Sequence, residues 1–239
     1  MAVAMEDWSR SAFEPGGGDA TLFYLAFGAL GPVGLPPTPA GLSLTVHPQG
    51  ETVWAEPLVA ASADAIDDQP QLAALVRGAP DFAVLRGRRR DPPDLGHLRD
   101  AEAVLAALLD VGAAAVLDVE ARRWWTPQEF RREVLDGLRP AVRAHVSVRT
   151  REGLVETRGL RKFGRPDLRF HRVPREEEPE ALRLCWSLVE RLARGARPGP
   201  GLSAGALRLE PSSEAGHPAL EADWPSASAA SRDLRRVPH

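Results

Sequence analysis

Histidines and arginines alternating at a spacing of two are the residues of this chain with the clearest chemistry to offer. His145 is followed two positions on by Ser147, in the run His145-Val146-Ser147-Val148. An imidazole acts as acid or base near neutral pH and a hydroxyl binds phosphate oxygens, so the run resembles half of the paired signature of two-histidine phosphoesterases. The second half is missing: His47 precedes Pro48, and His171 is followed by Arg172-Val173-Pro174. Read as a strand, the stretch places Arg143, His145, Ser147 and Arg149 on one face and Ala144, Val146 and Val148 on the other. The same period sets Arg169 beside His171. On neighbouring strands these six polar residues make a basic surface suited to a phosphate or carboxylate. A solvated sheet face coated with arginine stems is the plainer account of the same alternation.

Other reactive residue types offer less. Asp118 and Glu120 end an apolar run where α/β proteins place ligands, but no histidine follows at metal-ligand spacing. The single cysteine, Cys185, excludes an internal disulfide and a Cys-rich zinc site, and fits a reducing compartment. No metal, cofactor, glycine-rich phosphate or nucleophile-elbow motif is readable. Arg86, Arg88, Arg89, Arg90, Arg122 and Arg123 can meet phosphates, yet the isoelectric point is about 6.1 and Lys162 is the one lysine. Aromatic residues do not interleave with the cations of the His145 strand, so nucleic acid is disfavoured as a partner.

These groups depend on the elements that carry them. Residues 21–29 and 81–86 read as strands, and 42–47 with 51–54 as a hairpin in which Leu42, Leu44 and Val46 share a face. Residues 69–77 suit a short helix. In 94–111, Leu95, Leu98, Ala101, Leu105 and Leu108 recur at three and four, and Gly112 stops the helix. The all but apolar 113–119 is expected as a central strand covered on both faces. Thr126, Pro127 and Glu129 write a capping box for a helix with Phe130, Val134 and Leu138 inward. Strands are expected at 143–150, 154–157 and 168–173, a helix at 179–193, and an edge strand at 206–209.

The run Thr157 to Leu168, TRGLRKFGRPDL, is the most distinctive. Gly159 and Gly164 give access to positive φ, Pro166 fixes the approach to the next strand, and Leu160 and Phe163 plug the loop into the core. Thr157 and Asp167 complete the pattern, which resembles the uncharacterised bacterial family called domain of unknown function 4261, with matching element order over roughly residues 20–210. The resemblance implies a fold and no activity, so it assigns no catalytic residue and no cofactor.

The chain's 239 residues, 44% apolar and 26% charged, suit a globular protein, and no apolar stretch is long enough to span a membrane. Twenty-two prolines and 21 glycines require long loops or tails. The expected architecture is a single α+β domain over residues 20–210, with a mixed, largely antiparallel sheet covered by two or three helices. A flexible arm, 1–19, precedes it and a disordered tail, 211–239, follows. The net charge of minus 3 conceals polarity: residues 1–85 hold 2 basic and 10 acidic groups, and residues 122–175 hold 15 basic and 6 acidic, a surplus of plus 9. The leading expectation is a cytoplasmic, non-enzymatic interaction module binding a protein or anionic ligand through the basic sheet face. The alternative is a phosphoesterase-like hydrolase using His145 and His171.

Overall fold

The structure is a computed structural model, and it describes residues 8–31, 35–48, 66, 69–136, 140–197, 207–212 and 218–225. Aromatic and β-branched runs form β1 (Ala20–Gly28), β2 (Leu42–Pro48), β3 (Asp81–Arg89), β4 (Ala113–Asp118) and β5 (Arg123–Trp125). They pair antiparallel in the order β2-β3-β1-β4-β5. A second sheet contains β6 (Ser147–Arg151), β7 (Leu154–Arg158), β8 (Asp167–His171), β9 (Glu210–Ser212) and β10 (Ala219–Asp223), ordered β6-β7-β8-β10-β9. Only its β8–β10 pair is parallel.

The α+β class holds, but the strands divide into two sheets rather than one. The long helices are α1 (Pro70–Gly78), α2 (Gly96–Asp110) and α5 (Glu178–Ala193); α3 (Pro127–Phe130) continues as a π-helix over Arg131–Leu135, and α4 (Val142–His145) is a single turn. Alternation decides what each face covers. Leu22, Tyr24 and Ala26 of β1 face α2 and the larger core, while Leu25 and Phe27 face α1. Both faces of the first sheet are thus covered, which is why β4 reads apolar at nearly every position. The larger core continues through Val155, Leu168 and Phe170 of the second sheet to α5 and Trp224, so the two sheets make one domain.

The capping box forms as expected. Glu129 N donates to Thr126 Oγ1 at 3.2 Å and Thr126 N to Glu129 Oε2 at 3.0 Å. Phe130 and Val134 are buried; Leu138 and the hairpin's second strand, 51–54, lie outside the described residues.

Described residues inside both expected ends make defined contacts. The arm is tied down from Trp8: Leu95 N donates to Trp8 O, and the Arg10 guanidinium donates to Leu192 O and Ala193 O at 3.0 and 3.1 Å. These carbonyls belong to the last turn of α5, where Leu192 O also accepts from Gly195 N at 2.9 Å and a cation meets the negative end of the helix dipole. At the other end, β10 extends the ordered chain well beyond residue 210, with Leu220 and Ala222 on the core side. The edge strand falls at Glu210–Ser212 instead of 206–209.

Candidate functional site

The second sheet's outer face carries the expected basic residues in a different electrostatic setting. Arg149 and Arg169 share that face, but β6 and β8 are not neighbours. Between them β7 places Glu156 opposite both arginines, and β10 places Glu221 beyond Arg169. The result is a row of alternating sign. Arg169 is only 9% exposed, with Nη1 at 3.0 Å from Glu221 Oε1 and Nε at 3.8 Å from Glu156 Oε2. His171 Nε2 lies 3.5 Å from Glu221 Oε2. Burial works to raise the Glu221 carboxyl, but hydrogen bonds from Ser212 and Arg169 and the charges of Arg169 and His171 hold it below the usual range. The basic patch is therefore neutralised at Arg169 by β10, a strand beyond residue 210.

His145 is not on that face. Residues 142–145 close a helical turn, with Val146 N donating to Val142 O at 2.9 Å, so the alternation starts only at Ser147. The turn buries Ala144 and leaves His145 2% exposed. Its Nε2 is 3.0 Å from Glu102 Oε1, a close contact whose angle does not make a hydrogen bond, and its ring meets Phe163 edge-on. Glu102 is the carboxylate within the buried stripe of α2. Arg143 points elsewhere, over the Trp186 ring at 4.8 Å, and Ser147 Oγ donates to Ala121 O at 2.7 Å. His145 and His171 thus face separate surroundings, one inside the core and one half-exposed beside Glu221, and make no joint acid–base site.

The TRGLRKFGRPDL loop has the expected shape and an unexpected interior. Gly159 and Gly164 have φ of 109° and 62°, and a Cβ on Gly159 would sit 2.3 Å from His145 O, so glycine is required there on both counts. Leu160 and Phe163 are fully buried between them. Thr157 Oγ1 and Leu160 N both donate to Asp167 Oδ1, at 3.0 and 3.1 Å, tying the loop's two ends. Burial pushes the Asp167 carboxyl up to about 7, against those two hydrogen bonds and the Arg158 charge.

Lys162, the one lysine, is fully buried: its ammonium donates to Asp118 and lies 5.6 Å from the centre of the Tyr24 ring. Burial, with the carboxylates of Asp118, Glu102 and Glu120, raises the Tyr24 phenol well above its ordinary range. From α2, His97 Nε2 donates to Lys162 O at 2.8 Å, closing the loop from beneath. Arg165 is as deeply buried and makes contacts to Asp91, Gly164 O, Glu14 O, Gly195 O and Ala196 O. Three cations of the basic segment, Lys162, Arg165 and Arg169, are therefore matched internally. Nothing in the sequence pattern separates them from exposed arginines except that lysine is otherwise absent.

Positive charge gathers at β6, an edge strand. Arg149 Nη2 donates to Arg122 O at 3.1 Å, which braces Arg122 at a φ of 51°, a left-handed conformation that a side chain adopts at a cost. Arg158 stands opposite Ser147; its Nη2 is 3.4 Å from Glu156, and its buried Nε has no hydrogen-bond partner. Glu156 thus serves Arg158 and Arg169 and faces Arg149 as well. Burial and the charges of Arg158, Arg149 and Arg151, opposed by Glu156, lower the Arg122 guanidinium from its ordinary value. A shallow polar recess of about 310 Å³ opens here between Arg122, Ser147 and Arg149.

Among the described residues, no group of three His, Cys, Asp or Glu side chains is arranged to hold a metal ion, and no helix is long and apolar enough to cross a membrane. Comparisons of the chain with protein families, with curated proteins and with solved structures find no match.

Proposed function

We propose that the chain is a non-enzymatic interaction module that docks an acidic segment of a protein partner at the arginine rim of β6. The observation that carries this reading is the crowding of Arg149, Arg151 and Arg158 around Arg122, with Glu156 the one opposing charge and already shared with Arg169. Like charges held together are relieved by an incoming anion, and a net positive field steers an acidic partner toward the edge. β6 ends its sheet, and in the recess beside it Glu133 is already paired with Arg123, so Arg122 and Arg149 are the cations an extended acidic segment would meet. The lone buried thiol at Cys185 fits a reducing compartment, and this reading places the module in the cytoplasm.

The test is fluorescence anisotropy with a labelled oligoglutamate and the full chain. The triple reversal Arg122→Glu, Arg149→Glu, Arg151→Glu should weaken binding by at least about threefold, since each exposed ion pair contributes roughly 0.2–1 kcal/mol. Equal affinity of the variant and the parent protein would refute the reading.

A further inference from the structure

We infer that the cleft between the N-terminal arm, the loop of residues 157–168 and strands β9 and β10 binds a small organic anion: an apolar body carrying one carboxylate or phosphate. The cleft encloses about 750 Å³, within the roughly 300–1,000 Å³ of small-molecule sites. It is separate from the β6 rim and shares no lining residue with the recess there.

The fold builds it deliberately from backbone. Arg165 runs beneath the arm so closely that a Cβ on Gly17 would lie 1.6 Å from its Nη1, so the stretch Gly16 to Gly18 forms a wall without side chains. Arg165 itself is saturated by one carboxylate and four carbonyls and serves as floor, not as ligand donor. The amide of Gly16 is likewise engaged, at 2.6 Å from Asp91 Oδ2. The opposite wall is apolar, from Leu209, Pro211 and Leu220.

Three further guanidinium groups line this space. Arg88 is paired with Asp19 at 2.8 Å and Arg161 with Glu120 at 3.6 Å. Arg197 makes no ion pair among the described residues; its guanidinium carbon lies 3.6 Å from where a Cβ on Gly16 would stand. One cation is therefore left over beside an apolar wall. An amphiphilic monoanion complements both features, whereas a bare inorganic anion leaves the apolar wall wet and a neutral apolar molecule leaves Arg197 unmatched.

The probe is anilinonaphthalene sulfonate, followed by fluorescence with the full chain. Saturable binding should be displaced by octyl phosphate at least about tenfold more effectively than by octanol or by inorganic phosphate. The double variant Arg88→Glu, Arg197→Glu should weaken the probe at least about fivefold with an unchanged circular dichroism spectrum, because Arg88 and Arg197 are exposed. Arg149→Glu, in the β6 rim, should leave probe binding unchanged, and the double variant should leave oligoglutamate binding within about twofold, so either proposal can fail alone. Wild-type probe affinity in the double variant, equal displacement by octanol, or equal weakening by Arg149→Glu would overturn the inference.

Discussion

Replacing Asp167 by Asn should change how stability depends on pH. In the fold its carboxyl titrates at about 7 against an ordinary 3.8, with burial as the main cause. The difference, 7 minus 3.8, is about 3 units, and at 1.36 kcal/mol per unit the charged form is disfavoured by about 4 kcal/mol. The folded pKa is raised, so this group's contribution to stability is fully present below about pH 4 and is lost as pH rises toward about 7. Above that range the unfolded and folded forms are both ionised and the group adds no further slope. An Asn side chain keeps an oxygen that can accept from Thr157 Oγ1 and Leu160 N, but it has no proton to lose. Urea unfolding of both proteins, followed by tryptophan fluorescence, should show the variant gaining about 2.5 kcal/mol on the parent protein between about pH 5 and about pH 8. Taking the difference between the two proteins cancels the other titrating groups. A difference that stays constant over that range refutes the reasoning.

Two further perturbations probe the interior. His145→Ala leaves the Glu102 carboxylate buried without its partner and should cost about 3 kcal/mol in urea unfolding; adding Glu102→Leu should recover more than half of that, and strictly additive losses would show that the pair does not interact. Burial, with the Asp167 charge as the lesser cause, pushes the Cys185 thiol up to about 12, so alkylation by iodoacetamide at pH 8 should be slower than for a free thiol by at least about a hundredfold and should speed up with urea; rapid labelling of the native protein would contradict its placement.

The parts legible in the sequence are those in which the determining interactions are local. Thr126, Pro127 and Glu129 start their helix by bonding to one another's backbone. The stripe from Leu98 to Leu108 and the apolarity of β4 up to Asp118 report which faces are covered. Gly159, Gly164, Leu160 and Phe163 shape their loop as expected because positive φ and buried plugs leave a mark at the level of single residues. The candidate site was less legible. Alternation from Arg143 to Arg149 fits a strand, yet one helical turn through His145 fits too, and burial against Glu102 and Phe163 decides between them. The arm has no periodicity and ends in glycines, yet Arg10 donates to the carbonyls of Leu192 and Ala193 and Arg165 donates to Glu14 O, contacts made between residues far apart in sequence.

Sequence alone determined the class, the principal helices, the glycine-framed loop and the excess of positive charge in residues 122–175, since propensity, period and composition act over a few neighbouring residues. Tertiary structure decided which of those charges still face outward. That required knowing that β7 lies between β6 and β8, that β10 returns Glu221 to Arg169, and that Asp118 and Asp91 receive Lys162 and Arg165. An ion pair forms between groups brought together by pairing of distant strands, and side chains separated by 44 or 74 positions carry no mark of one another until the chain has folded.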